Sequence, residues 1–132
     1  MYLLDTNICI YAIKKHPASV LTKINDKYKN GIKISTLTIA ELEYGVENSA
    51  YPEKNKISLI KFLSIFEYLD FCEKDAIEYG KIRKFLRENG QIIGPIDMLL
   101  SAQCVANNLI MVTNNVKEFC RIPNIEIENW AE

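Results

Sequence analysis

Four acidic side chains in this 132-residue sequence stand where carboxylates could do chemistry. They occur in the stretches LLDTN, AELEY, GPIDM and NVKEF, at Asp5, Glu41, Asp97 and Glu118. Carboxylates held within a few ångströms of one another repel, and some of their pKa values rise unless a cation lies between them. Oxygen ligands without histidine or thiolate suit a hard cation such as Mg²⁺ or Mn²⁺. Such a cation lowers the pKa of bound water and neutralises charge on a phosphoryl group, which is the chemistry of phosphodiester hydrolysis.

Each of these positions also has a purely structural explanation. Asp5 could cap the helix that follows it. Thr38 and Glu41 have the spacing of a capping box, in which the glutamate bonds back to the backbone N–H of the capping residue. Asp97 would be favoured at the positive end of a helix dipole, and Asn115 could cap a short turn. Taken one at a time, these residues do not establish a site.

Short apolar strands alternate with helices along the chain, which predicts an α/β domain with a mainly parallel sheet. Strands are expected at 2–4, 32–35, 67–71, 109–113 and in the closing IEIENW, and helices at 7–14, 18–28, 38–49, from 52 onward, 75–88, 95–107 and, as one turn, 117–120. The run LIMVT has the unbroken apolar character of a central parallel strand. No repeat or linker interrupts the pattern, so residues 1–132 are expected to form one domain.

These elements are expected to bring the acids together. In a parallel sheet, the segments that leave the carboxyl ends of strands converge on one edge, where ligands bind at a switch in strand order. Asp5 follows the first strand, Glu41 falls in the first turn of the helix after the second, and the Asn115 and Glu118 region follows LIMVT. Asp97 is expected in the first turn of a helix rather than directly after a strand. This convergence favours a common site over separate structural roles.

The composition argues against several other kinds of site. There is one histidine, His16, expected on a surface loop, so a metal-free ribonuclease with two catalytic histidines cannot be assembled. The four cysteines are scattered without a C-x-x-C pair, which is typical of reduced, buried thiols in a cytoplasmic protein rather than of disulfides or a zinc site. Phosphate-binding glycine motifs and a nucleophile elbow are absent, and neither a transmembrane run nor a signal peptide is expected.

The formal net charge of −1 does not by itself indicate a nucleic-acid partner. A local basic patch could come from a single predicted helix, which carries Lys81, Arg83, Lys84 and Arg87. Taken alone, the same residues are better explained as the solvated face of an amphipathic helix.

Four motifs in order, LDTNI, ELEYG, GPIDMLLSAQC and LIMVTNNVKEF, together with the closing ENW, resemble those of PIN-domain ribonucleases, specifically the VapC-type toxins of bacterial toxin–antitoxin pairs. The resemblance covers essentially the whole chain. It implies a three-layer α/β/α fold and a Mg²⁺- or Mn²⁺-dependent endoribonuclease that acts on structured RNA, often transfer RNA. It also implies a homodimer that is silenced by a VapB-like antitoxin, in a hetero-oligomer, with a cytoplasmic location.

The acids of the family carry over to Asp5, Glu41 and Asp97, which the resemblance makes the catalytic residues and the metal ligands. Many relatives have a further aspartate two residues after the threonine of the fourth motif, where this chain has Asn115. The nearest acid that could replace it is Glu118, three residues further on.

Other positions are expected to support this site. The resemblance implies that Thr6 and Asn7 orient Asp5 and that Thr113 steadies the fourth corner of the site. If the chain is such an enzyme, its basic residues would contact the RNA backbone: Lys81, Arg83, Lys84 and Arg87, with Lys14 and Lys15 as further candidates.

Two alternatives remain open from the sequence. The first is a PIN-like module with a weakened site, which binds RNA or a protein without cutting; Asn115 is its best support. The second is a phospho-acceptor receiver domain, another small α/β fold with an acidic magnesium pocket. A receiver domain would have paired acids after its first strand, whereas Asp5 stands alone there.

Overall fold

The computed structural model describes residues 1–132 as a chain in which five strands alternate with helices. In chain order the elements are β1 (Tyr2–Leu4), α1 (Thr6–Lys14), α2 (Ala18–Lys27), β2 (Ile32–Ser35), α3 (Thr36–Glu47), α4 (Pro52–Leu63), β3 (Glu67–Leu69), α5 (Glu73–Glu88), α6 (Pro95–Asn107), β4 (Ile110–Val112), α7 (Val116–Phe119) and β5 (Glu126–Glu128). A 3₁₀ turn at Tyr28–Asn30 follows α2. None of the helices is both long enough and apolar enough to span a membrane.

The five strands form one sheet in the order β3-β2-β1-β4-β5, and all neighbouring strands are parallel. The chain therefore builds outward from β1 in one direction through β2 and β3, and then returns to the other side of β1 with β4. The reversal of strand order lies between β1 and β4, which is the position at which open α/β sheets bind ligands.

Helices cover both faces of this sheet. On one face, Leu4 and Ile34 pack against apolar side chains of α1, α2, α3 and α4. On the other face, Leu3 and Met111 pack against α6 and the α7 residue Phe119. A third apolar cluster joins α5 to the outer side of α6. The expected three-layer α/β/α fold with a parallel sheet is thus confirmed.

The predicted strands and helices all exist, with two notable differences. The third strand ends at Leu69 rather than at residue 71. Helix α3 begins at Thr36, because the Ser35 side chain caps it by accepting a hydrogen bond from the Leu37 N–H over 3.1 Å. Thr38 therefore lies inside the helix, so the capping-box interpretation of Thr38 and Glu41 is wrong, and Glu41 falls in the second helical turn rather than the first.

The cysteines are all free, but only two of them are buried. Cys9 and Cys104 lie in the core, whereas Cys72 and Cys120 are exposed. The absence of disulfides agrees with the prediction of reduced thiols, whereas the prediction that they are buried is wrong for Cys72 and Cys120. His16 is exposed between α1 and α2, as expected of a loop residue.

Candidate active site

The carboxyl ends of β1 and β4 are joined through Asp5. The backbone N–H of Asp5 donates to the Val112 carbonyl over 3.0 Å, which continues the pairing of the two strands. The Oδ1 of Asp5 accepts from the backbone N–H of Ile8 over 2.9 Å and caps α1, and Oδ2 accepts from the Thr113 hydroxyl over 2.6 Å. The capping explanation of Asp5 is thus correct, and it accounts for only one of the two carboxylate oxygens.

The carboxyl group of Asp5 is buried, so little water can solvate its charge. Only 5% of the residue is exposed, and this burial raises the pKa of its carboxyl. The hydrogen bonds from Thr113 and from the Ile8 backbone oppose the shift, while the charge of Glu41 adds to it. The net direction is upward, so the site disfavours an ionised Asp5 when no positive charge is near.

Glu41 reaches the site from α3. Its Oε1 accepts a hydrogen bond from the Thr6 hydroxyl over 2.5 Å, so the first residue of α1 holds a side chain from the second turn of α3. Thr6 was expected to orient Asp5 and orients Glu41 instead. Asn7 is exposed, and its backbone N–H, rather than its side chain, acts on the carboxylate of Asp5.

Asp97 lies in the first turn of α6, which Pro95 opens at the first helical position. The residue is partly buried, and burial is the main reason why the pKa of its carboxyl is raised to about 6. The charges of Asp5, Glu118 and Glu41 add to this rise, in that order. Acids from four separate parts of the chain therefore act on one another at this edge of the sheet.

The fourth corner of the site is a hydrogen-bonded turn. The Thr113 hydroxyl that donates to Asp5 also accepts from the Asn115 backbone N–H over 2.9 Å. The Asn115 side-chain amide donates to Oε2 of Glu118 over 2.7 Å. Asn115 precedes α7 without capping it through its side chain, so it serves to hold Glu118.

The cluster is one of like charges rather than a finished ligand cage. No three His, Cys, Asp or Glu side chains are arranged closely enough to hold a metal ion together as they stand. Glu41 and Glu118 turn toward the neutral partners Thr6 and Asn115. The donor set nevertheless fits a hard divalent cation, because it consists of oxygen atoms and its mutual repulsion is what such a cation relieves.

The four basic residues of α5 are exposed and make no hydrogen bond to the acidic cluster. Lys81 lies 3.3 Å from Glu78, and Lys84 lies 3.9 Å from Glu88, both within the same helix. Two of the four basic residues therefore pair with acids of α5 itself, and none of the four pairs with an acid of the cluster.

A groove beside Glu41 was not anticipated from the sequence. It has a volume of about 480 Å³ and lies between α1, α3 and α4. Ile10 and Ile13 of α1 face Leu42 and Val46 of α3 across it, and Glu41 lies on its lining. Apolar residues at helical spacing signal only a buried face, so the sequence pattern does not distinguish this groove from core.

Comparison with known proteins places the chain in a family. Residues 2–125 match the family model described as PIN domain. The chain is 47% identical over 131 residues to "Ribonuclease VapC2" of Rickettsia felis, with 98% of each chain covered. It is 40% identical over 130 residues to "tRNA(fMet)-specific endonuclease VapC" of Salmonella typhimurium, again with 98% of each covered.

Solved structures give the same result. The structure of VapBC2 from Rickettsia felis, bound to a DNA fragment from their promoter, matches with a TM-score of 0.93 at 47% identity and 98% coverage of both chains. DNA-bound VapBC from Salmonella typhimurium matches with a TM-score of 0.92 at 40% identity, covering 98% of this chain and 97% of the other. The agreement in fold therefore extends over nearly the full length of both relatives.

Proposed function

The chain belongs to the PIN domain family and is a ribonuclease of the VapC type, and we propose that it hydrolyses RNA phosphodiester bonds with a divalent cation, Mg²⁺ or Mn²⁺, held by Asp5, Glu41 and Asp97. The receiver-domain alternative is excluded by the family.

The observation that carries the proposal is that acids from four separate elements meet at the edge of the sheet where the strand order reverses. The pKa of the partly buried Asp97 is raised to about 6 in keeping with this, by burial first and then by the charges of the three other carboxylates. A protein that gathers four acids from different elements without a cation loses stability through their repulsion. A divalent cation converts that repulsion into attraction, so the arrangement is explained if the cluster binds one.

In the proposed reaction, Asp5, Glu41 and Asp97 would hold the cation, and the chemistry that it would supply is activation of a water molecule and neutralisation of charge on the scissile phosphate. Asp5 is the most fixed ligand, because two hydrogen bonds and its burial between β1 and β4 hold it in place. Thr6 holds Glu41, and Ser101 supports the first turn of α6 by donating to the Asp97 carbonyl over 2.7 Å. These contacts restrict the acids to one edge of the sheet before substrate arrives.

Glu118 is proposed to supply the fourth acid in place of the aspartate that many relatives have at the Asn115 position. Its charge contributes to the raised pKa of Asp97, which supports this assignment. The Asn115 amide aims Glu118 by a 2.7 Å hydrogen bond. Glu118 thus compensates for the charge that Asn115 lacks.

For the substrate we propose a structured RNA, with transfer RNA as the first candidate, because a relative at 40% identity is named a tRNA(fMet)-specific endonuclease. The partner is proposed to be a VapB-like antitoxin, since the matched structures are VapBC complexes. A homodimer in the cytoplasm, combined with antitoxin in a hetero-oligomer, completes the proposal. The groove between α1, α3 and α4 is the proposed seat of the antitoxin, because an occupant there would also contact Glu41.

The test is cleavage of bulk tRNA by protein purified free of any partner. Wild type, Asp97→Asn and the control Asp26→Asn, an exposed acid on α2, are compared with Mn²⁺ and with chelator. The proposal expects discrete fragments from wild type and the control with Mn²⁺ only, and none from Asp97→Asn. Tight RNA binding without cleavage by folded wild type would instead favour the non-cleaving PIN-like module, for which Asn115 is the structural argument.

A further inference from the structure

Gly80 occupies a position in the middle of α5 at which neither packing nor backbone geometry requires glycine. Glycine destabilises the interior of a helix relative to alanine. A Cβ added at Gly80 would meet no atom within 4 Å, and Gly80 is not among the residues of positive φ. Nothing within the chain therefore accounts for the absence of a side chain at this position.

The surroundings of Gly80 are basic. Arg83, Lys84 and Arg87 lie three, four and seven residues further along the helix and therefore share its face. Together with Glu88 they line an open depression of about 590 Å³ that contains no hydrophobic residue. All of these side chains are exposed, and neither arginine has an ion-pair partner within the chain.

The charge of α5 is also divided along its length. Residues 73–79 carry three acids and one lysine, whereas residues 80–88 carry four cations and one acid. Cations in the last turn are favoured by the helix dipole. The dipole does not account for Gly80 or for cations that begin two turns before the end of the helix.

The basic half of α5 lies at the same end of the helical hairpin as Asp97. Helices α5 and α6 are antiparallel: Asn107 at the end of α6 donates to Asp75 at the start of α5 over 3.1 Å. At the opposite end, Leu86 of α5 belongs to the same apolar cluster as Met98, the residue after Asp97. An anionic polymer with one phosphate at the acidic site would therefore extend toward this helix.

We propose that the face of α5 formed by Gly80, Arg83, Lys84 and Arg87 binds the sugar–phosphate backbone of the RNA substrate next to the cleaved phosphate. Guanidinium groups bind phosphate oxygens in a bidentate manner, and the ammonium group of Lys84 adds a point charge. Gly80 lets the backbone approach the helix closely. The inference rests on the proposed function in that it takes RNA as the substrate.

The first test measures the salt dependence of bulk tRNA binding by fluorescence anisotropy, in chelator so that no cleavage occurs. The variant Arg83→Gln/Arg87→Gln is compared with Lys23→Gln/Lys29→Gln, which removes the same charge from exposed positions before the amino end of β2. Two lost phosphate contacts should reduce the slope of log affinity against log salt by about 1.4–1.8. We expect affinity about tenfold or more weaker near physiological salt, with the control slope unchanged.

A second pair of variants tests the role of Gly80 without changing charge. Gly80→Gln fills the depression and improves helix propensity, so it should raise Tm by about 4 °C while it weakens tRNA binding several-fold. Ala76→Gln introduces the same side chain one turn earlier, at an exposed position outside the depression, and should leave binding unchanged. A variant that gains stability and loses affinity cannot be explained by misfolding.

Two outcomes overturn the inference. One is an unchanged salt slope and affinity in both Gly80→Gln and the double arginine variant. The other is a shift between monomer and dimer on gel filtration with the salt slope of RNA binding unchanged, which would make this face a contact between copies of the chain.

Cleavage assays on the same preparations separate this inference from the proposed function. If wild type cleaves RNA and the double arginine variant has the same salt slope of binding as wild type, only the α5 surface is refuted. If wild type never cleaves but its RNA binding depends on these arginines, only the proposed catalysis is refuted.

Discussion

The Thr113 hydroxyl donates a 2.6 Å hydrogen bond to Oδ2 of Asp5 across 108 residues of sequence. This contact joins the carboxyl ends of β1 and β4 at the point where the strand order reverses. It fixes the most buried acid of the cluster and connects it, through the Asn115 backbone, to the turn that carries Glu118. The geometry of the acidic site therefore depends on a neutral side chain as much as on its carboxylates.

Thr113→Val should destabilise the protein and move Asp5. Valine keeps the shape of threonine but leaves a buried carboxylate oxygen without its donor, which costs about 1–3 kcal/mol. The lost bond is one that lowers the pKa of Asp5, so the penalty should be larger at neutral pH than at acid pH. Urea unfolding measures the effect, with Thr113→Ser as the control that keeps the hydroxyl. Equal stability of the valine variant and wild type would refute this role.

Asp97→Asn should stabilise the cation-free protein at neutral pH. Because the pKa of Asp97 is raised to about 6, the folded chain retains a proton that the unfolded chain releases from about pH 4 upward. Stability from this group is thus full below about pH 4 and is lost as the pH rises through about 6. Asparagine does not ionise, so the stability of the variant does not fall in this pH range for this reason.

With allowance for solvent screening at a partly exposed group, we expect Asp97→Asn to gain on the order of 1 kcal/mol above pH 6 and little near pH 4. Unfolding in chelator at both pH values measures this difference, with Asp26→Asn on α2 as the control. A gain of the same size at both pH values would show that charge repulsion is not the cause.

Thr6→Val should impair cleavage without unfolding the protein. The variant removes the donor that holds Glu41 while keeping the size of the side chain. Residues that orient metal ligands typically contribute about 10–100-fold to metal affinity or activity. We expect the Mn²⁺ concentration at half-maximal tRNA cleavage to rise by about tenfold or more, and Thr6→Ser to behave as wild type. An unchanged Mn²⁺ requirement in Thr6→Val would show that Glu41 does not depend on Thr6.

Asn115→Asp should make the protein less stable without cation and more responsive to it. The new carboxylate would face Glu118 at the distance of the present 2.7 Å hydrogen bond, which adds repulsion. The Tm should fall in chelator, and the rise in Tm on adding Mn²⁺ should exceed that of wild type. Asn114→Asp is the matched control, since Asn114 bonds to the hydroxyl of Tyr11 instead. If Mn²⁺ raised the Tm of both variants by the same amount, Asn115 would be too far from the bound cation to interact with it.

The sequence was sufficient to predict the alternation of elements and the edge at which the acids meet. Periodicity and turn residues predict the observed bounds of strands such as Ile32–Ser35, because apolar runs and Asn-Gly turns act locally. Prediction from the sequence failed where two residues are both suited to the same structural role. Ser35 and Thr38 are both acceptable helix caps, and the path of the chain out of β2 decides for Ser35.

Side-chain partners within the site were the least predictable part. Thr6 is adjacent to Asp5 in sequence, yet it bonds to Glu41, because helix α1 turns its hydroxyl toward α3. The hydrogen bond from Asn115 to Glu118 likewise depends on the direction of the two side chains, which their spacing in the sequence does not determine. Motif order identifies which acids belong together, and only the packed structure shows which neutral residues hold them.

Binding of Mn²⁺ to the partner-free protein, measured by isothermal titration calorimetry near neutral pH, tests the central claim most directly. If the four acids form a cation site, wild type binds Mn²⁺ saturably, and Asp97→Asn binds it much more weakly or not at all. Asp26→Asn, which removes a distant exposed acid, binds as wild type does. Absence of Mn²⁺ binding by folded wild type, or equal binding by Asp97→Asn, would contradict the claim.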